Sequence, residues 1–260
     1  MQAVILAAGS GLRLRPITET VPKGLVRIDK KSLLQYSLDI LSKFGIHEVI
    51  MVVGYLSEKI SKEFGEAYKD IRITYLINKK YDRTGSMYSF SRARRDIGED
   101  IILLESDLLY EPRAVELIIN SPYQNCLLVA PARGTGDEVY ICIDKHRRIT
   151  DLGKHIHSSR KAKALGELVG ISRFSLRFLE MLFIKAEEDY QNGKLNLHYE
   201  ECVFAGSTLQ NPVYALFGRN LIWTEIDTTD DLVRARESIF PRIKSVSEKI
   251  STSREQNNGD

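Results

Sequence analysis

Over its first hundred residues the chain alternates short apolar runs of strand length with stretches of helical spacing, which sharply narrows the folds open to it. Val4 to Leu6 reads as a buried strand. Ser32 to Lys43 reads as a helix with Leu33, Leu34, Leu38, Ile40 and Leu41 mostly on one stripe and Gly45 as its stop, and Glu48 to Tyr55 as a second strand. The pattern predicts a helix from about Ser57 to Tyr68, a strand from Ile71 to Ile77 and a helix from Ser86 to Arg95. A strand from Ile101 to Leu104 then ends at Glu105, Ser106 and Asp107. Apolar strands separated by amphipathic helices imply an α/β fold, with a mostly parallel, Rossmann-like central sheet and helices on both faces. Right-handed crossovers bring the strands' C-terminal ends to one rim, where ligands bind.

Beyond residue 125 the pattern changes to strand-like pieces, Cys126 to Pro131, Glu138 to Ile143 and Arg148 to Leu152, joined by turn residues. They predict a small mixed β elaboration over about 126–171 that binds an acceptor at the rim. A helix from Ser175 to Gln191, a strand from Leu221 to Ile226 ending at Asp227, and a helix from Thr229 to Ile239 follow, with Thr228 and Thr229 as candidate caps. Residues 1–243 read as a single domain and 244–260 as a polar tail or linker.

With 37 basic and 35 acidic side chains the net charge is +2, so no basic field calls for nucleic acid. No apolar stretch approaches the roughly 20 residues of a membrane span, so no membrane insertion is expected. The N-terminus lacks the charged region of a signal peptide, and a cytoplasmic location is expected. Cys126, Cys142 and Cys202 are odd in number and widely spaced, which suggests neither a disulfide framework nor a zinc site. A small-molecule partner remains.

The first strand empties into Ala7, Ala8, Gly9, Ser10 and Gly11, with Arg13 and Pro22-Lys23 just beyond. A small-residue loop exposes backbone N–H groups, arginine offers a fixed fork of donors and lysine a mobile charge, so together they can hold a triphosphate. The loop lacks the third glycine of a dinucleotide fingerprint and the Gly-Lys-Ser/Thr of a P-loop, and glycine turns after strands occur in many α/β folds. Asp107 and Asp227 each end a predicted strand, where a carboxylate needs solvent or a cation. Two such ligands suit Mg²⁺, although Asp107 could instead cap a helix. Asn78 with Thr84, Gly85 and Ser86 follows a strand and opens a helix, a place for nucleotide contacts or for simple capping. Asp137, Lys154 and Glu167 are candidates for the acceptor. Asp137 follows Gly134 and Gly136 and could be an ordinary turn residue, whereas Glu167 interrupts an apolar stretch and needs a cation such as an acceptor ammonium.

Leu6-Ala7-Ala8-Gly9-Ser10-Gly11-x-Arg13 followed by Pro22-Lys23 resembles the nucleotidyltransferase family that joins a nucleoside triphosphate to a sugar phosphate or a small phosphorylated alcohol. The likeness runs through about Ile243. It implies nucleotide contacts from Leu6 to Gly11 and from Ser106, phosphate binding by Arg13 and Lys23, and Mg²⁺ on Asp107 and Asp227. Glu105 stands where the family has the first aspartate of an Asp-x-Asp. The run Asn78-Lys79-Lys80-Tyr81 with Thr84 to Ser89 resembles the branch that uses CTP with amino-alcohol phosphates or phosphonates. The resemblance therefore implies CMP transfer from CTP to 2-aminoethylphosphonate, with phosphocholine and then a sugar 1-phosphate as alternative acceptors. A nucleotide-sensing regulatory subunit on the same fold is the reading from another class. A trimethylammonium would favour an aromatic cage, for which Tyr140, Tyr214 and Trp223 are available, and a primary ammonium would favour carboxylates. The expectation is a primary amine.

Overall fold

The computed structural model describes residues 1–246 and 248. The first apolar run forms β1 (Gln2–Ala7), which sends Ala3, Ile5 and Ala7 into one core and Val4 into another. Burial on both faces is why this strand is apolar without alternation. A two-residue hairpin, β2 (Arg27–Ile28) and β3 (Lys31–Ser32), leads into α1 (Leu33–Lys43). The Ser32 hydroxyl starts that helix by accepting from the Gln35 N–H at 3.2 Å. Next come β4 (Glu48–Val53) and α2 (Ser57–Phe64). The helix predicted to reach Tyr68 stops four residues earlier: Gly65 takes φ +63°, and β5 (Ala67–Tyr68) folds back onto β6 (Ile71–Ile77).

The chain continues through α3 (Ser86–Ser91), a 3₁₀ turn to Arg95, β7 (Ile101–Glu105), β8 (Leu108–Tyr110) and α4 (Arg113–Ile119). Then follow β9 (Cys126–Ala130), β10 (Tyr140–Ile143), β11 (Ile149–Gly153), the short α5 (Ser158–Lys161) and β12 (Gly166–Phe174). The last elements are α6 (Leu176–Gln191), α7 (Tyr199–Gly206), β13 (Tyr214–Phe217), β14 (Trp223–Glu225) and α8 (Thr229–Arg234). A π-helical turn over Ala235–Ile239 carries α8 onward, and residues 240–246 are helical. The tail expected from 244 lies outside the described residues except for 244–246 and 248.

The main sheet runs β11-β10-β12-β7-β1-β4-β6-β5, with β9 on β12 and β13 on β9. Its centre, β7-β1-β4-β6, is parallel, while β12 runs antiparallel to both β7 and β9. The mixed β elaboration expected over about 126–171 joins the main sheet through β9 and β12. Gly170 sits at the register shift in β12 with φ +84°, where a Cβ would lie 3.0 Å from the Glu105 carboxyl carbon. One core holds side chains of α1, α2 and α4, and the other holds those of α3, α6 and α7. A third cluster joins Leu14, Val26 and Ile28 to Leu109, Ile226 and Leu232, fixing the start of the chain against its end.

Candidate active site

The loop after β1 owes its shape to Gly11, whose φ of +61° suits glycine and whose Cβ would meet Thr18 Cγ2 at 3.1 Å. The Thr18 hydroxyl donates to the Gly11 carbonyl at 2.7 Å and holds the turn. Among the described residues, the N–H groups of Gly9, Ser10 and Gly11 have no protein partner, which leaves them free for an anion.

Asp107 and Asp227 lie 120 residues apart in sequence, and a small antiparallel sheet brings them together. Leu108 pairs with Glu225, and the Ile226 N–H donates to the Asp107 carbonyl at 3.0 Å. Behind Asp227, Thr228 and Asp231 form a capping box on α8, and Asp231 also accepts the Asp227 N–H at 3.1 Å. Lys23 Nζ bridges the two carboxylates, at 2.6 Å from Asp107 Oδ2 and in contact with Asp227. Arg13 Nη2 reaches Asp227 at 2.8 Å and also pairs with Asp137, which Lys154 holds from the other side at 2.6 Å.

Asp227 is not alone at the end of its strand. Glu105, Asp107 and Glu225 bring carboxylate oxygens within 4.8 Å of one another, close enough to hold one ion, whereas the expected ligand Asp227 falls outside that group and is turned to Lys23 and Arg13. Burial and then the Asp107 charge push the Glu105 and Glu225 carboxyls well above the usual carboxylate range. Burial opposes the charge on Lys23, but Asp107 and Asp227 more than offset it and raise its pKa. Burial would likewise raise Asp227, but Lys23 overrides it and holds this carboxyl low. Asp107 Oδ1 is buried and, among the described residues, has no hydrogen-bond partner. An orphaned carboxylate oxygen within an all-oxygen donor set fits a hard divalent cation such as Mg²⁺.

These groups line one cavity of about 530 Å³, together with Leu6, Ala8 to Gly11, Thr84 to Ser86, Ser106, Asp137, Lys154 and Glu167. Two predicted contacts do not line it. Ala7 is buried in the core, and Asn78 is 1% exposed. The Asn78 amide donates at 3.0 Å to the hydroxyls of Thr84 and Ser89, so it shapes the loop rather than facing the cavity. The loop is clamped from behind: a Cβ on Gly85 would fall 2.1 Å from the Leu197 carbonyl oxygen, and Ser86 Oγ accepts the Tyr199 N–H at 2.9 Å.

The cation that Glu167 needs is already in place. Its carboxylate accepts Arg133 Nε at 2.7 Å and the Arg133 N–H at 3.0 Å, and Arg133 also lies 3.5 Å from Glu225 and stacks over Trp223 at 4.4 Å. Nor are the three candidate cage aromatics open. Lys161 covers Tyr140 at 4.3 Å, Tyr123 stacks on Tyr214 at 4.2 Å, and none of the three lines the cavity. Sequence reasoning missed Glu225, Arg133, Tyr199 and Glu200. Glu225 had a readable signal, since Glu105-x-Asp107 and Glu225-x-Asp227 repeat one spacing that sets both carboxylates on the same side of a strand.

A family model described as nucleotidyl transferase matches residues 2–155. The chain is 28% identical over 239 residues to the CMP-5'-(3-aminopropyl)phosphonate synthase of Streptomyces rubellomurinus, covering 89% of this chain and 37% of that protein. It is 30% identical over 199 residues to the CTP:phosphoglutamine cytidylyltransferase of Campylobacter jejuni, covering 69% of this chain and 75% of the relative. It spans less than half the length of several curated relatives that it matches. The solved CTP:phosphocholine cytidylyltransferase of Streptococcus pneumoniae shares the fold, with a TM-score of 0.72 at 23% identity over 91% of this chain and 97% of that one. Among the described residues, no helix is long and apolar enough to cross a membrane.

Proposed function

The chain belongs to the nucleotidyl transferase family, and from that premise we propose that it transfers CMP from CTP to a small phosphonate or phosphate carrying a primary amine, with 2-aminoethylphosphonate as the leading acceptor. One observation carries the reading. The open N–H loop at Gly9 to Gly11 and the cations Lys23 and Arg13 share a cavity with a carboxylate group that holds an orphaned oxygen. This arrangement supports adjoining positions for a triphosphate and a metal. The relatives that match most of the chain are named for CMP or CTP chemistry with a phosphonate or phospho-compound. The covered aromatics favour an amine with N–H donors over a trimethylammonium.

In this mechanism an acceptor oxyanion attacks the α-phosphorus of CTP in line, a new P–O bond forms, and the bond from the α-phosphorus to the bridging oxygen of pyrophosphate breaks. The acceptor is already ionised near pH 7, so no side chain need remove a proton, and catalysis rests on placement and charge neutralisation. The N–H groups of Gly9, Ser10 and Gly11 orient the phosphates. Arg13 and Lys23 exchange carboxylate partners for phosphate oxygens and stabilise the charge that builds as pyrophosphate leaves. Asp107 and Asp227, with Glu105 and Glu225 beside them, would hold Mg²⁺, which when bound supplies Lewis-acid stabilisation of the phosphoryl oxygens.

The test is pyrophosphate release from each common nucleoside triphosphate, with 2-aminoethylphosphonate, phosphoethanolamine, phosphocholine or glucose 1-phosphate as acceptor. CTP with 2-aminoethylphosphonate should give the highest kcat/KM and phosphocholine a lower one. A preference for glucose 1-phosphate or for a purine nucleotide would overturn the reading.

A further inference from the structure

Most carboxylates on the acceptor side of the cavity are satisfied within the protein. Asp137 holds Arg13 and Lys154, Glu167 holds Arg133, and Glu138 accepts the N–H groups of Thr135 and Gly136 and the Tyr140 hydroxyl. Glu200 differs. It is 9% exposed in the first turn of α7, and among the described residues it makes no ion pair and receives no side-chain hydrogen bond, its own N–H being the donor turned to it. Burial pushes its carboxyl above the usual range, as for an acid without a firm cation. Favourable charge reaches it from His198 and then from Lys154, but among the described residues His198 makes no ion pair with it and Lys154 is tied to Asp137 at 2.6 Å.

Glu200 also stands where two cavities meet. The site cavity adjoins a second one of about 740 Å³, and the two share Val139, Lys154, His198 and Glu200 in their walls. The preceding residue, Tyr199, donates its hydroxyl to Glu105 Oε1 at 2.7 Å, so the turn that carries Glu200 is anchored to the metal-side carboxylates.

We propose that Glu200 is the carboxylate that pairs with the acceptor's ammonium, placing the amine at the junction of the two cavities while the oxyanion faces the Lys23 end. This rests on the proposed amine-bearing acceptor and names the residue that selects it. A buried carboxylate without a cation is costly, and a bound ammonium removes that cost only when the acceptor carries one, which makes the contact a source of specificity.

The experiment compares kcat and KM for 2-aminoethylphosphonate and amine-free ethylphosphonate in the wild type, Glu200→Gln and Glu200→Asp. The wild type should prefer the amine. Glu200→Gln should lose at least about 30-fold of that preference, mainly through a higher KM for the amine acceptor, while its turnover of ethylphosphonate shows that it is folded. Glu200→Asp, which keeps the charge, should retain much of the preference. An unchanged ratio in Glu200→Gln overturns the inference and leaves the proposed function standing. Equal loss of both acceptors with intact CTP binding by calorimetry also overturns it, in favour of a structural role. A wild type that turns over no amine-bearing acceptor overturns this inference and the proposed function together.

Discussion

At one end of the cavity, Asp107 and Asp227 share Lys23, Arg13 reaches only Asp227, Glu105 has the Tyr199 hydroxyl, Arg133 lies near Glu225, and Asp107 Oδ1 is left without a partner among the described residues. At the other end the buried carboxylate of Glu167 and the half-exposed one of Asp137 have cations at bonding distance, and Glu138 is wrapped in N–H donors. The first arrangement is short of positive charge and calls for a ligand, while the second is largely complete. A buried carboxylate therefore marks a binding position only where the fold has not already supplied its counter-charge. By that measure Asp107 is a stronger site residue than Glu167, although on sequence alone both call for a cation, one at a strand's end and the other in an apolar stretch.

The sharpest way to break this contrast is to neutralise each end in turn. Asp107→Asn should lower pyrophosphate release more than about 10³-fold while the melting temperature holds or rises, because the variant removes both the proposed cation ligand and a crowded buried charge. Near-normal turnover would place the reaction elsewhere. Lys23→Ala should cost about 10²–10³-fold in kcat through lost charge stabilisation, read from saturating kinetics.

At the paired end the expected damage is to stability. Arg133→Met strands the Glu167 carboxylate and should cost about 3–5 kcal/mol in urea unfolding, and adding Glu167→Gln should restore much of it. If Arg133→Met unfolds like the wild type, the pair is not what satisfies Glu167. The smallest effect concerns Glu138. Although its burial works the other way, its own N–H, the Tyr140 hydroxyl and the N–H groups of Gly136 and Thr135 hold its carboxyl down at about 2, against an ordinary value of 4.5. Its contribution is present above pH 4.5 and is lost as the pH falls toward 2. The stability gap between wild type and Glu138→Gln should narrow over that window, and a gap independent of pH would contradict the assignment.

The same contrast explains how much of the site is legible in the sequence. Gly11 and Asp107 follow strands of the alternating pattern, so the rim rule puts them on one edge, while Arg13 and Lys23 are legible through the resemblance of their motif. Helix ends are less legible: α2 stops at Gly65 because residues 67–72 make a hairpin that residue spacing does not announce. The pairing of β8 with β14 joins segments more than a hundred residues apart, so local spacing suggests the meeting of Asp107 with Asp227 without fixing it. Glu167 misleads for a related reason, since its cation comes from Arg133 across the β9–β12 pairing. Asn78 sits at a strand end like the true rim residues, yet its amide is spent on Thr84 and Ser89. Residue type and position identify the candidates, and long-range pairing decides which of them face a ligand.

The most direct measurement is a phosphorus NMR spectrum of the protein with CTP, Mg²⁺ and 2-aminoethylphosphonate. CTP and acceptor signals should decay together while pyrophosphate and a mixed anhydride, its phosphonate phosphorus coupled to the α-phosphorus, grow in equal amounts. Unchanged CTP, or its hydrolysis to CDP and phosphate with the acceptor signal intact, would contradict it.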